Sequence, residues 1–526
     1  MDGAGDNKMD GGATGGLMAT KRHLSGDERE FFSLVRAATF ANPFSDERVA
    51  LDLQITGQPS TVADADRVKR VTEVVHDRIR KLEASGLTSI RGVSGPDRDI
   101  LENAFLFDFF HQYLDRFDEV IPDQITAGDT AIRISFADEA LTLLRSRGFD
   151  SAAARRYFAL CFQIRRAFYF IDRSLVGRSP CMKRLRRDLW NNVFTHDIGL
   201  YNAHLWNRME DFSTLILGST GTGKGTAAAA IGRSGFIPFD PKRGAFAESF
   251  IRSFISLNLS QFPETLIESE LFGHRKGAFT GAMEDYRGVF QRCSSHGAIL
   301  LDEIGEVSIP VQIKLLGVLQ ERAFTPVGGH ERRRFEGRVI AATNQSVEQL
   351  RQEGRFRDDF YYRLCSDVIR VPPLAERIRE APAELDDLIA HTVARIVGEP
   401  SAELAGMVRE VIDGRLGPDY PWPGNVRELE QCVRRVLLKR TYEGDGGPEA
   451  EDLLDRLFDG AADRGIDAQG LLEGYCARLY RRAGTYEAAA RLSGLDRRTV
   501  KKYIQQWHQR KSAGNGRGMP TFEERG

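Results

Sequence analysis

The sequence predicts a multidomain chain: an α/β nucleotide-binding core with a helical lid, a mostly α region before it and a small all-α unit after it. Three observations predict this. Between Ser213 and Val371 short apolar runs, "STLIL", "FISLN", "AILLD" and "RVIAAT", alternate with helical stretches, as a parallel sheet covered by helices reads. The first of these runs opens directly onto the glycine-rich "GSTGTGKGT". On either side the text carries helical periodicity instead.

Bulk properties bound the answer. The chain has 526 residues, too many for one domain, and 41% are hydrophobic, enough for ordinary cores. A formal net charge of −2 exerts no global pull on nucleic acid, so any DNA contact must come from a local basic patch. Six cysteines, Cys161, Cys181, Cys293, Cys365, Cys432 and Cys476, are scattered without a C-x-x-C pair. That spacing speaks for reduced thiols rather than a disulfide frame or a zinc site. No apolar run has membrane-spanning length and the start lacks a signal-peptide core, so a cytoplasmic protein without a membrane partner is expected.

In chain order, residues 1–27 are Gly- and Asp-rich with few apolar residues, and disorder is expected there. Residues 28–172 read as helical. Val68, Val71, Val75, Ile79 and Leu82 recur at three- and four-residue spacing, and Ser85-Gly86 supplies a stop. The Phe- and Leu-rich stretches Ile100 to Phe117 and Tyr157 to Ile171 predict a buried helical core, with a ligand pocket or partner groove as the alternative. The nucleotide-binding region is expected over 173–375 and its helical lid over 376–441. An Asp-, Glu- and Gly-rich linker follows at 442–469, a small helical unit at 470–510 and a polar, disordered tail at 511–526.

"LILGSTGTGKGT" places Gly218, Ser219, Thr220, Gly221, Thr222, Gly223 and Lys224 after an apolar strand and before an Ala-rich helix. Glycines let the backbone curl so that several N–H groups point at one anion. The helix N-terminus adds positive potential, and Lys224 reaches the outer phosphates of ATP. Gly225 stands where a P-loop usually supplies a Ser or Thr hydroxyl to Mg²⁺, and Thr226 comes one position late. Magnesium is therefore expected to lean on other residues. "GAILLDEIGE" supplies them: Asp302 can hold Mg²⁺ through water, and Glu303 can orient the attacking water.

Between these segments lies "FGHRKGAFTGAMED", whose centre, Gly277, Ala278, Phe279, Thr280, Gly281 and Ala282, has no acid, base or metal ligand. In order along the chain, "ESELFGHRKGAFTGA", "GAILLDEIGEV", "VQIKLLGVLQER", "VIAATN", "FRDDFYYRL" and "YPWPGNVRELEQ" resemble the AAA+ domain of the sigma-54-dependent transcription activators, or bacterial enhancer-binding proteins. The resemblance runs from about Ser174 to Arg440. It implies that Gly277 to Ala282 tips a loop that engages sigma-54 when ATP is bound. Gly277 and Gly281 would let that loop rear up and fold back. It further implies that Asn258 switches Glu303 with nucleotide state, and that Thr343-Asn344 senses the γ-phosphate. Arg357 and Arg363 become arginine fingers that reach a neighbouring subunit in a ring, commonly a hexamer. Arg427 becomes the lid's sensor, with Leu175, Val176 and Gly177 edging the adenine pocket. The chain departs from the family in three respects. Ser219 and Gly225 replace acids beside the P-loop, and apparent insertions occur around "RSGFIPFDPKRGAFAESF" and "DIGLYNAHLWNRMEDF".

Near the end, "GTYEAAARLSGLDRRTVKKYIQQW" has Ala490, Gly494, Val500 and Tyr503 at helix-turn-helix spacing. Asp496 is placed to cap the second helix, with Arg497, Arg498, Thr499, Lys501 and Lys502 on or near its exposed face. It resembles the Fis-type module that closes many of these activators, and upstream double-stranded DNA is the partner it implies. The expectation is an ATPase that remodels the sigma-54 RNA polymerase closed complex into an open one. The competing readings are a DNA-binding regulator with a vestigial ATPase and an AAA+ remodeller of another protein.

Overall fold

A computed structural model describes residues 23–59, 64–417, 420–444 and 467–514. The expected disordered start, linker and tail fall largely outside these residues. At their margins the expectations need adjusting. Ser25 caps the first helix in a reciprocal capping box with Glu28, so ordered chain begins before residue 28. The last helix runs to Gly514, past the boundary expected at 510. The chain divides into two compact units, Met1–Tyr442 and Glu443–Gly526.

Seven helices open the first unit: α1 (Gly26–Phe40), α2 (Asp46–Thr56), α3 (Asp64–Ala84), α4 (Pro96–Gln112), α5 (Leu114–Ala127), α6 (Ala137–Ser146) and α7 (Ser151–Arg173). Of the apolar stripe read in α3, Val71, Val75, Ile79 and Leu82 are buried, while Val68 at its start is 38% exposed. After α8 (Pro180–Phe194) and a one-turn α9 (Ile198–Leu200), a five-stranded parallel sheet begins.

Its strands β1 (Thr214–Leu217), β4 (Phe254–Asn258), β5 (Ala298–Asp302), β8 (Arg338–Thr343) and β9 (Asp367–Arg370) lie in the order β4-β5-β8-β1-β9. The four apolar runs named from sequence are the first four of these. The register sets Asn258 opposite Asp302, Asp302 opposite Ala342, and Thr343 opposite Leu217. One carboxyl edge therefore collects the P-loop, the Asp-Glu pair and the Thr-Asn pair, where open parallel sheets bind ligands.

Two short hairpins complete the strands, β2 (Phe239–Asp240) with β3 (Ala245–Phe246) and β6 (Ala323–Phe324) with β7 (Arg333–Arg334). The helices of the core are α10 (Lys224–Gly232), α11 (Glu264–Phe272), α12 (Val289–Arg292), α13 (Ile309–Glu321), α14 (Val347–Gln352) and α15 (Asp358–Leu364). The lid is α16 (Leu374–Glu380), α17 (Glu384–Val397), α18 (Ala402–Arg415) and α19 (Asn425–Lys439), with its own core around Leu385, Ile389, Leu429 and Val433.

The boundary expected at 172 is a change of architecture, not a gap in packing. One continuous core joins α1–α7 to the outer face of the sheet. The first apparent insertion makes that joint. Phe239 and Phe246 of the β2-β3 hairpin lie against Phe158 and Phe162 of α7, with ring centroids 4.9 Å apart for Phe158–Phe239 and 4.5 Å for Phe162–Phe246. Phe250 meets Phe170 at 5.6 Å. Polar contacts lock the same face. Gln163 donates to the Ser234 carbonyl at 2.9 Å, and the buried Arg166 donates to the Gly235 carbonyl. Burial pushes the Arg166 guanidinium down to about 9. No helix among the described residues is long and apolar enough to cross a membrane.

The second unit holds helices Ala468–Ala483, Tyr486–Ser493 and Arg497–Gly514 around a small core of Cys476, Ala489, Val500 and Ile504. Gly494 turns in the left-handed region at φ 67°, and Asp496 accepts from the backbone of Arg498 and Thr499 at 2.8 and 3.0 Å, the expected cap. The fully buried small residue between the helices is Ala489, where sequence pointed to Ala490, which is half-buried.

Candidate nucleotide site and its loop

All four residues of β1 are buried, so the strand ends abruptly where the chain meets solvent and curls. Gly221 and Gly223 take φ of 81° and 103°, a region that any residue with a Cβ rarely adopts. At Gly221 a Cβ would also stand 2.2 Å from the Gly424 carbonyl, so the lid backbone closes over the loop only because a glycine is there. Lys224, the first residue of α10, is 7% exposed and donates from Nζ to the Gly218 and Ser219 carbonyls at 2.9 and 3.4 Å. No carboxylate pairs with it among the described residues. A buried ammonium on neutral acceptors, beneath a helix N-terminus, suits the outer phosphates of a nucleotide.

Asp302 ends β5, and its Oδ1 accepts from the Glu303 backbone at 3.1 Å. Glu303 itself sits at φ 57°, a strained conformation for a carboxylate residue that re-aims its side chain past the strand end. The backbone N–H of Asn344 donates to Glu303 Oε2 at 3.4 Å, and Asn344 Nδ2 donates to Thr220 Oγ1 at 2.8 Å. Asn344 thus spans from the Glu303 carboxylate to the P-loop. Asn258, expected to hold Glu303, does not do so here. Its Oδ1 accepts from Ser260 N and Oγ at 3.0 and 2.7 Å, capping the turn that follows β4. Its place opposite Asp302 keeps it one strand away from the acids. Gly225 has no hydroxyl and faces open space, Thr226 is exposed, and Asp302 and Glu303 are the carboxylates this edge offers to Mg²⁺.

The arginines of "FRDDFYYRL" are both engaged within the chain. Arg357 forms a two-pronged ion pair with Asp359 at 2.9 and 2.7 Å on the surface. Arg363 donates twice to the Leu319 carbonyl near the end of α13, at 3.0 and 2.8 Å. Sequence reading missed the residue that aims this segment. Gln312, wholly buried on α13, accepts from Arg357 N at 3.0 Å and donates to the Arg355 and Val307 carbonyls at 2.8 and 3.0 Å. A glutamine on the core face of an otherwise apolar helix was the available signal.

The lid approaches from the other side. Arg427 stands with its Cβ against the Gly221 position, and its guanidinium forms no hydrogen bond or ion pair among the described residues. Asn425, also missed, sits at φ 54° and ties lid to P-loop by donating to the Thr220 carbonyl at 3.0 Å while accepting from Leu374 N at 2.8 Å. Val176 packs on the lid core, and the Leu175–Gly177 backbone is held by Arg186 and Arg377. Buried Glu384 pairs with Arg377 and accepts from Ser179 N at 2.7 Å. Burial alone would raise its carboxyl, but the hydrogen bonds from Ser179 and the charge of Arg377 outweigh it and hold it below the ordinary range.

The Gly277 to Ala282 segment is a closed turn at the surface. Gly277 N donates to the Ala282 carbonyl at 2.8 Å, and Ala282 N to the Phe279 carbonyl at 3.0 Å. Gly277 and Gly281 take φ of 80° and 103° with nothing within 4 Å of a Cβ position, so both serve backbone shape and neither is needed to admit a neighbour. Phe279 is 38% exposed and rests edge-on against His274, ring centroids 4.9 Å apart, while Met283 is 76% exposed. Arg275 ties the loop base together through Asp285 at 2.6 Å and Glu331 at 3.1 Å.

A family model described as "Sigma-54 interaction domain" matches residues 202–370. The Nif-specific regulatory protein of Azotobacter vinelandii is 39% identical over 273 residues, covering 52% of this chain and 46% of that protein. The DNA-binding transcriptional regulator NtrC of Azospirillum brasilense is 32% identical over 364 residues, covering 63% of this chain and 68% of that protein. NtrX from Brucella abortus, crystallised in complex with ATP, covers 71% of this chain and 80% of its own at 20% identity and a TM-score of 0.39. The chain spans about half the length of the Nif-specific relatives it matches.

Proposed function

The chain belongs to the sigma-54-dependent transcriptional activators, and from that premise we propose that it hydrolyses ATP in a ring, commonly a hexamer in this family, to open promoter DNA held by sigma-54 RNA polymerase. Lys224 and the P-loop amides would hold the phosphates. Asp302 would hold Mg²⁺, which when bound shields phosphate charge. Glu303 would orient the attacking water, with Asn344 positioned between it and the phosphates. Arg357 and Arg363 would leave their present partners to reach the next subunit's ATP. Arg427 would close from the lid, and Val176 and Gly177 would edge the base. Asn258 remains a candidate relay between nucleotide and loop, by rearrangement of its bond to Ser260.

One observation carries the reading: an exposed, glycine-hinged turn tipped by Phe279 and Thr280 is mounted on the same α/β subdomain as Lys224, Asp302, Glu303 and Asn344. A remodeller of another target has no use for that tip, and a vestigial ATPase has no use for those acids. The helices Tyr486–Ser493 and Arg497–Gly514 support a second role, upstream DNA binding through Arg498, Lys501 and Lys502, which are exposed. Arg497 is tied to Glu487 at 2.9 Å and Thr499 to Asp496, so both would serve the phosphate backbone or the helix cap. The expected compartment is the cytoplasm.

The test compares ATP turnover with capture of sigma-54 in the presence of ADP and aluminium fluoride. Thr280→Ala and Phe279→Ala should keep most of the turnover and lose capture and open-complex formation. Wild-type capture by both variants refutes the assignment of the tip.

A further inference from the structure

Gln312 is an amide on the core side of α13, a helix whose other buried residues are Val311, Leu315, Val318 and Leu319. It has no exposed surface, and both of its N–H groups and its oxygen are spent on main chain. Nε2 donates to the Val307 and Arg355 carbonyls at 3.0 and 2.8 Å, and Oε1 accepts from Arg357 N at 3.0 Å. Burying a primary amide is costly unless its groups are met. Here two separate stretches of chain meet them, one just before α13 and one 43 to 45 residues beyond Gln312.

The second stretch is the turn between α14 and α15, Glu353 to Arg357, which belongs to neither helix and has no ladder of its own. Phe356 pins it to the core: the ring is 2% exposed and lies 5.2 Å from Phe360. One buried ring fixes where the turn sits but leaves it free to pivot. Gln312 removes that freedom, because it grips the carbonyl before Phe356 and the amide after it. The residue whose direction this sets is Arg357. Its guanidinium pairs with Asp359 on the surface, a contact that is easily exchanged. The grip on its main-chain N–H persists when the side chain swings away. The bond to Val307 serves a different end, since it turns the carboxamide so that oxygen rather than nitrogen faces Arg357.

We propose that Gln312 is a positioning residue for ATP hydrolysis: it sets the direction from which Arg357 is delivered to the nucleotide of the neighbouring subunit. The inference rests on the reading of Arg357 as acting in trans. It gives Gln312 no contact with ATP and no part in its own subunit's acid site. A subunit without the carboxamide therefore keeps a working phosphate and acid site and offers its neighbour a misdirected arginine. A misplacement of about 1 Å can cost on the order of a hundredfold in rate.

The test uses the full chain and mixed rings. Gln312→Met, of the same length and without the amide, should lose about 10–100-fold in turnover while binding ATP within about twofold of wild type. Mixed with Glu303→Gln it should regain turnover several-fold above either protein alone, because one supplies the acids and the other the arginine. Mixed with Arg357→Ala it should stay at the level of the separate proteins, since neither brings a well-aimed arginine. Gln312→Asn keeps the amide one methylene short and should show the same pairing pattern at a smaller loss, which serves if the Met variant fails to fold. The reverse pattern, recovery with Arg357→Ala and none with Glu303→Gln, overturns the proposal and assigns Gln312 to its own acid site. Wild-type turnover in both variants overturns it too. So does recovery with both partners, or with neither while Arg357→Ala and Glu303→Gln still complement each other, as a role in folding or assembly alone would give. If Arg357→Ala and Glu303→Gln fail to complement, the trans reading itself falls, and this inference with it.

Discussion

Replacing Phe162 by alanine should destabilise the ATPase core as well as the N-terminal helices. Phe162 is 2% exposed and touches both sides of the joint, with ring centroids 4.5 Å from Phe246, 5.7 Å from Phe117 and 6.4 Å from Phe250. The Arg166 guanidinium stacks over the same ring at 5.2 Å. Truncating such a ring costs roughly 3–5 kcal/mol, a large part of the roughly 5–15 kcal/mol that holds a domain folded. Removing residues 1–172 goes further. It would bare Phe239, Phe246 and Phe250, each carrying roughly 150–250 Å² of surface. Their sum exceeds the few hundred Å² of apolar patch that a soluble monomer shows, so that fragment should aggregate. The assay is urea unfolding of the Phe162→Ala chain followed by two probes, release of a fluorescent ADP analogue and cleavage within α1–α7. Both midpoints should fall together. A midpoint for nucleotide release equal to wild type, beside a lowered one for the helices, would refute the shared core.

Four further outcomes are expected. Lys224→Ala should weaken ATP binding by about 10–100-fold, whereas Glu303→Gln should bind ATP normally and lose about 10²–10⁴ in turnover, both read by equilibrium binding and steady-state hydrolysis. Arg357→Ala and Arg363→Ala should each cut turnover by about 10³ or more if they act in trans, but only Arg363→Ala should also lower the unfolding free energy, by about 1–2 kcal/mol, because it alone bonds a buried helix end. Acid should loosen the N-terminal helices in two steps. Burial depresses His111 to about 4, so its contribution is complete above its ordinary value near 6.5 and fades as pH falls from there toward 4. The hydrogen bond from Arg29 depresses Asp97 to about 2, so its contribution persists to about pH 4 and fades toward 2; His111→Gln should remove the first step and Asp97→Asn the second in a pH series of melting curves. Finally, replacing Arg498, Lys501 and Lys502 together should lower the salt slope of DNA binding by roughly one unit per lost phosphate contact and leave DNA-independent ATPase activity unchanged.

Legibility followed how local the determinants were. The P-loop is written in contiguous residues whose backbone demands glycine, whereas the acids after β5 took their meaning from that P-loop and the turn at Gly277 to Ala282 from the ordered motifs around it. Asn425 and Gln312 were missed for the opposite reason. Each is an ordinary amide in sequence, and its work is defined only by what the fold brings to it: the Thr220 carbonyl 205 residues away for Asn425, the Arg357 amide 45 residues away for Gln312. Asn258 illustrates a third case. Its position in the register was readable, but its hydrogen bond was not, because Ser260 two residues on competes for the same oxygen.

The two insertions pack away from the nucleotide edge of the sheet. In sequence they stand on either side of the P-loop strand and helix, where they bear on turnover rate and ring geometry rather than on the reaction. In the fold neither reaches the acids at the carboxyl edge. The β2-β3 hairpin clamps α7, and the Tyr201–Leu205 turn walls a cavity, and both converge on residues 231–235, the far end of the helix whose first residue is Lys224. Ser234 and Gly235 follow directly on the end of α10 at Gly232, about three helical turns from Gly223. The N-terminal helices therefore touch the chain just beyond the P-loop helix, through Gln163, Arg166 and the aromatic joint.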